Sequence, residues 1–273
     1  MSAAKDRTCG ELLVRLAAEF GLHVSADEAA QCCRHLELVA FWNRRVNLTR
    51  IVGVKAVVQH VLDSLMPRPW LPQRGMALDM GSGAGFPGIP LAVTCARLHM
   101  VLLDADRKKA SFLKVCAAEL GLRNVSVVEG RLEQWPWKPE VSGDTQACNT
   151  RHTTGMPSGD FDLITVRAVR LDEPMLYRLG ALLKPDAIVA YWSGFMPPAG
   201  VPHHVPLKIL PDASLAQGRR VQLAKKGGKT LSMDEGVAGV KIEGFLERLE
   251  DRVYRLPGLD ESRRLLRWRR RTS

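Results

Sequence analysis

The apolar positions of this chain change their spacing along its length. Up to about residue 65 they recur at helical intervals; from residue 76 short apolar runs alternate with helical stretches. Residues 10–21 read as a short amphipathic helix. Ser25-Ala-Asp-Glu28 has the form of a capping box and opens a longer helix, with Cys32, Leu36, Val39, Ala40 and Val46 as its apolar stripe. Val54, Val57, Val58, Val61, Leu62 and Leu65 predict a third helix. His60, Asp63 and Ser64 share its opposite face, which reads as a solvated face or a local hydrogen-bonded group. Met66-Pro-Arg-Pro-Trp70 ends this helical region.

Beyond it, Met76–Met80, His99–Leu103, Val125–Val128, Phe161–Val166 and Ala187–Trp192 read as short buried strands. Helices are predicted between them: one beginning near Pro87, one through Phe112, Leu113, Cys116 and Leu120 with Gly121 as its cap, and one over Leu171–Leu183. This alternation predicts an α/β fold with a parallel sheet covered on both faces. Residues 136–160 have three prolines, three glycines and no period, and read as a flexible insertion. Phe195–Lys229 resolves into no elements. Asp234–Leu249 predicts a helix, and Arg252–Leu256 and Leu265–Arg269 two last strands about the turn Pro257-Gly-Leu-Asp260. Two units result: a helical region over 1–70 and an α/β domain over 71–273.

The chemistry concentrates between Gly75 and Asp104. After the strand Met76–Met80 come Gly81, Gly83 and Gly85, then Phe86-Pro87, a helix, a second strand and Asp104 at its end. Alternate glycines allow positive φ and a close backbone approach to a ligand. Strand, glycine turn, helix, strand and acid form a nucleotide-binding βαβ unit. Two frames compete. Gly83-x-Gly85-x-x-Gly88 with Asp104 satisfies the dinucleotide pattern. Asp79-x-Gly81-x-Gly83-x-Gly85 is the other frame; it resembles motif I of class I methyltransferases that use S-adenosylmethionine (SAM). Asp79 would repel a pyrophosphate and suit an ammonium, which favours the second frame.

Charge narrows the partner. The 273 residues have a formal net charge of +10 and a pI of about 9.6. Residues 205–273 hold sixteen Lys and Arg against nine Asp and Glu. An acidic partner such as nucleic acid is expected, with the tail Arg263-Arg264-Leu-Leu-Arg267-Trp268-Arg269-Arg270-Arg271 either gripping an RNA backbone or forming a last strand with exposed arginines. Six cysteines show neither a C-x-x-C pair nor a zinc spacing. Most fall in apolar patterns as free thiols, and with no signal or membrane span visible the expected location is a reducing cytoplasm.

Several segments together resemble one family. They are Trp42-Asn43, Asn47-Leu48-Thr49, His60-x-x-Asp63-Ser64, Asp79 to Pro90, Leu103-Asp104, Lys108-Lys109, Arg131-Leu132-Glu133 and Val166-Arg167-Ala168. This set is similar to the bacterial 16S ribosomal RNA guanine-N7 methyltransferases, RsmG or GidB, over roughly Leu36–Trp192. The resemblance implies a Rossmann-like class I methyltransferase sheet of seven strands, the last antiparallel. It implies SAM as methyl donor, with guanine in 16S rRNA or the small ribosomal subunit as acceptor, and a monomer away from any membrane. It places Gly81, Gly83, Gly85 and Phe86 in the cofactor turn, Asp104 at the ribose, and Leu132 and Glu133 at the adenine. It puts Arg167 beside the cleft and His60 and Lys108 toward the substrate, with no catalytic acid or base and no metal. Residues 136–160 and 195–229 are longer than in the family. An NAD-dependent oxidoreductase, an RNA-binding assembly factor and a methyltransferase of another substrate are the alternatives.

Overall fold

The structure is a computed structural model that describes residues 2–132, 161–194, 202–206 and 244–272. The chain begins with α1 (Ser2–Glu19) packed on α2 (Ala26–Trp42). The expected capping box starts α2: Ser25 Oγ accepts the Glu28 N–H at 3.2 Å and the Glu28 carboxylate accepts the Ser25 N–H at 2.7 Å. The helix ends before the expected Val46 because Asn43 offers the backbone another partner. Its Oδ1 accepts the N–H groups of Leu48 and Thr49, and its amide donates to the Thr49 carbonyl.

The third predicted helix has three pieces: α3 (Val54–Ala56), a π-helical stretch (Val57–Leu62) and α4 (Asp63–Leu65). A π turn is wider than an α turn, so the residues after it rotate out of the register that 3.6-residue counting assigns. This corrects the reading of a solvated face, because His60, Asp63 and Ser64 are all buried.

The sheet contains β1 (Arg74–Met80), β2 (Arg97–Asp104), β3 (Val125–Glu129), β4 (Phe161–Arg167) and β5 (Leu183–Gly194). It continues through β6 (His204–Pro206), β7 (Phe245–Arg248), β8 (Arg252–Arg255) and β9 (Ser262–Arg271). Their order is β3-β2-β1-β4-β5-β9-β7-β6, with β8 also on β9. The first five are parallel and the rest join by antiparallel pairs. Helices α5 (Gly88–Thr94), α6 (Arg107–Glu119) and α7 (Glu173–Leu182) make the crossovers. Alternate residues of each strand enter two apolar clusters: Ala77 joins one with α1, α2, α5 and α6, while Leu78 and Met80 join another with α7. The α/β fold class stands, but nine strands are described where seven were expected.

Two expectations for the C-terminal part change. The end of the helix expected over Asp234–Leu249 is instead strand β7, because the ten-residue β9 extends past β5 and pairs Leu246 with Arg270 and Glu247 with Arg269. The remainder of that segment, the 136–160 insertion and most of Phe195–Lys229 lie outside the described residues. The arginine tail is a strand whose guanidinium groups are largely engaged. Arg267 donates to the Glu250 carbonyl at 3.1 Å, Arg270 to the Leu183 carbonyl, and Arg271 pairs with Asp186 and Glu247. Arg267 and Arg270 are buried, so neither stands free to grip an acidic partner.

The thiol expectation is corrected as well. Cys9 of α1 and Cys33 of α2 form a disulfide, while Cys32, Cys95 and Cys116 are free and buried. The bridge follows from the pairing of two helices, which no cysteine spacing announces. No helix among the described residues is long and apolar enough to cross a membrane.

Candidate cofactor and acceptor site

The strand order reverses at β1, and the turn between β1 and α5 lies at the carboxyl end of this switch point. The turn leans on β2: the N–H groups of Gly81 and Ser82 both donate to the Leu103 carbonyl at 2.9 Å. Asp104 closes it, its Oδ2 accepting the Gly83 N–H at 2.8 Å and its Oδ1 the Asp106 N–H at 2.9 Å. Gly81, Gly83 and Gly85 all have positive φ. A Cβ on Gly83 would meet nothing nearer than 3.8 Å, so that position faces open space, whereas one on Gly81 would press on Val169 at 2.7 Å.

Asp79 is buried beneath this turn. Its Oδ1 accepts the Thr165 hydroxyl at 2.6 Å, and its Oδ2 lies against Gly88, the first residue of α5. Burial pushes its carboxyl up to about 6. The charge argument from sequence therefore needs a structural addition, since this acid also sits under the start of the crossover helix.

Phe86 is held between two histidines from the N-terminal region. Its ring centroid lies 4.6 Å from His35 of α2 and 4.5 Å from His60, with which it stacks. His35 Nε2 is 2.8 Å from the Ala84 carbonyl and His60 Nε2 is 2.7 Å from the Thr49 hydroxyl. Thr49 in turn is fixed by Asn43. Thus the N-terminal helices shape the turn directly.

Burial pushes both imidazoles down to about 4, with Arg167 adding to the effect at His60. The unfolded chain binds protons at both sites below about 6.5, which the folded chain refuses until about 4. Their contribution is complete above 6.5 and is lost as pH falls through that window. Asp79 opposes them, because the folded chain keeps its proton up to about 6. Two groups against one leave a net loss on acidification, about 1.4 kcal/mol per pH unit for each net proton. Urea unfolding at pH 7 and pH 5 should show the lower midpoint at pH 5. His35→Gln keeps a donor for the Ala84 carbonyl and should flatten that slope; an unchanged slope would remove His35 from the account.

At the end of β4, Arg167 turns toward the N-terminal region. It pairs with Asp63 at 2.9 Å and donates to the Gln59 carbonyl at 2.7 Å. The Tyr254 hydroxyl donates to Asp63 Oδ1 at 2.8 Å, and Trp192 Nε1 donates to the Asp63 carbonyl at 3.0 Å. The next residue, Ala168, has a φ of 55°. Non-glycine residues in that region cluster at functional sites.

Gly81, Gly83, Gly85, Phe86 and Asp104 therefore come together. Leu132 is buried beside Leu103 and Val101 in the second apolar cluster, past the end of β3. Glu133 lies outside the described residues. His60 is committed to Phe86 and Thr49 rather than open to a substrate. Lys108 is exposed on the first turn of α6, with only its backbone N–H bonded, to Asp106. Sequence reasoning missed His35, Tyr254 and Trp192. Trp192 had a weak signal in its place at a strand end, and the other two had none.

These residues fit SAM. The turn has open space at Gly83, and each Asp104 oxygen accepts one N–H and keeps acceptor capacity for a ribose diol. A sheet reversing at β1, with a glycine turn there and an acid ending β2, defines a class I SAM-dependent methyltransferase.

The family of rRNA small subunit methyltransferase G (GidB) matches residues 28–196. Ribosomal RNA small subunit methyltransferase G 1 of Syntrophobacter fumaroxidans is 33% identical over 251 residues, covering 91% of each chain. Ribosomal RNA small subunit methyltransferase G of Hahella chejuensis is 36% identical over 178 residues, which is 64% of this chain and 77% of that one. Among solved structures, a SAM dependent methyltransferase from Aquifex aeolicus covers 76% of this chain and 88% of that one, at 14% identity and a TM-score of 0.40. The chain belongs to the GidB family of rRNA small subunit methyltransferases. Its methyl donor is SAM.

Proposed function

We propose that this protein transfers the methyl group of SAM to N7 of a guanine in 16S ribosomal RNA. SAM supplies a methyl carbon made electrophilic by its sulfonium. The protein's residues bind, orient and exclude water. Asp104 holds the ribose, and the Gly81–Phe86 turn cradles the rest of the cofactor. Leu132 and Glu133 border the adenine. Arg167 keeps the acceptor side in shape through Asp63, and His60 acts through Phe86. Lys108 and the exposed cations of the N-terminal region meet phosphates.

One observation carries the choice of N7. Among the described residues around the ends of β4 and β5, no carboxylate or imidazole is free to take a proton. Asp63 is committed to Arg167 and Tyr254, and His60 to Thr49 and Phe86. N7 of guanine has an in-plane lone pair and no proton, so its attack needs no base. Alignment of nucleophile, methyl carbon and sulfur is what remains, and positioning of that kind contributes on the order of 7–11 kcal/mol. A side chain reads N7 poorly inside an A-form helix, so the acceptor should lie in an accessible loop or leave its stack.

The test incubates the protein with small-subunit RNA and labelled SAM and maps the methyl group. Label on guanine N7 is expected. Label only on an adenine amine, a ribose hydroxyl or a protein would refute the assignment. Thermal stabilisation by NAD and not by S-adenosylhomocysteine would refute the cofactor.

A further inference from the structure

A cavity of about 240 Å³ opens at the carboxyl ends of β4 and β5. Ala168 lines it, and the following residue, Val169, is the side chain that crowds Gly81. The cavity and the cofactor turn therefore lie on two sides of one short loop. None of the residues assigned to the cofactor lines it except Arg167.

Its walls are flat and its free polar groups are mostly donors. Trp192 and Tyr254 both line it, and both send their polar atoms to Asp63. What they have left for a ligand is ring surface. Arg263 and Arg264 also line it, and each has a buried Nε–H with no hydrogen-bond partner. Gln59 contributes from the π-helical stretch. Its backbone carbonyl is taken by Arg167, while its side-chain amide makes no hydrogen bond among the described residues. Ile51 connects the cavity to the preceding loop, where Arg44, Arg45, Arg50 and Lys55 are exposed. No acid occurs between Glu37 and Asp63. A flat cavity with unpaired donors and a cationic rim suits an unstacked nucleobase still attached to its phosphates.

The choice of base follows from the edge that must stay bare. Arginine usually grips guanine through O6 and N7 together. An enzyme that methylates N7 must leave it open and read the neighbouring edge. There guanine presents the acceptor O6 and the donor N1–H. A glutamine amide offers the complementary donor and acceptor, and an added guanidinium donor favours O6 over the N6 amino group of adenine. We propose that this cavity is the acceptor pocket: it takes one unstacked guanine against Trp192 and Tyr254, while Gln59 and Arg263 read O6 and N1–H and leave N7 facing the cofactor turn. This rests on the methyl-transfer reading above.

The test uses the full chain with Gln59→Ala and Arg263→Ala. SAM affinity is measured by calorimetry, RNA affinity at fixed salt, and methyl transfer under single turnover. Each variant should keep SAM affinity within about twofold and RNA affinity within about threefold, yet lower the transfer rate at least thirtyfold. Transfer at the wild-type rate in both would overturn the pocket. So would a loss of SAM affinity, which would assign the cavity to the cofactor. On the unaltered protein saturated with S-adenosylhomocysteine, guanosine monophosphate should bind and compete with RNA while adenosine monophosphate does not. Equal binding of the two, or binding of neither, would overturn the guanine assignment whatever the variants do. If the wild-type protein binds SAM but methylates no RNA, the functional reading fails first and the pocket falls with it.

Discussion

Arg167→Ala should lower the unfolding free energy by about 3–5 kcal/mol, the usual cost of removing one partner from a buried charge pair. The Asp63 side chain is only 4% exposed and that of Arg167 17%. Without the guanidinium, Asp63 keeps the Tyr254 hydroxyl but has no positive charge beside it. The loss should reach beyond this pair. Arg167 also ties the end of β4 to the Gln59 carbonyl, and Asp63 orients Trp192 and Tyr254. Urea unfolding of Arg167→Ala, Asp63→Asn and the double variant gives the coupling, which should fall within about 0.5–3 kcal/mol. A loss below 1 kcal/mol in the single variant would mean that the pair is solvated. If methyl transfer fell while stability held, Arg167 would act on a ligand directly and its positioning role would be wrong.

Gly85→Ala should have the second large effect. The residue has a φ of +88°, and an added Cβ would lie 2.6 Å from Ile89 Cδ1 and 3.0 Å from His35 Nε2. The left-handed conformation costs a residue with a Cβ roughly 1–2 kcal/mol. Overpacking adds about 1–3 kcal/mol. Because His35 also meets the turn at Ala84 and stacks near Phe86, relief of the clash must move the turn. SAM affinity should drop at least tenfold together with stability. Gly121→Ala is the control: that glycine also has positive φ, but a Cβ there meets nothing within 4 Å. It should lose only the conformational part and bind SAM normally. Equal SAM affinity in both variants would separate the turn from the cofactor.

The arginine-rich C-terminal strand shows where composition misleads. A run with Arg263, Arg264, Arg267 and Arg269–Arg271 reads as a grip for acid, yet Arg267 and Arg270 donate to main-chain carbonyls of neighbouring elements. A strand's side chains alternate between faces, and here a neighbouring strand, β7, covers one edge. Charge counts register neither fact. The cations left for RNA are fewer and lie elsewhere: Arg263 at the cavity and the exposed group around Arg44–Lys55.

The order of strands, the glycine turn and the acid after β2 were legible because they are local. Each depends on periodicity, on the φ freedom of glycine, or on a residue's place at a strand end. The cofactor turn was thus readable from some thirty consecutive residues. The tertiary structure alone decided what surrounds that turn. His35 and His60 close on Phe86, Asp63 meets Arg167 across more than a hundred residues of sequence, and Tyr254 reaches the same acid from the last hairpin. Such contacts form between elements whose faces are set by packing, and the π-helical stretch shifts one face by a residue that no periodic count includes.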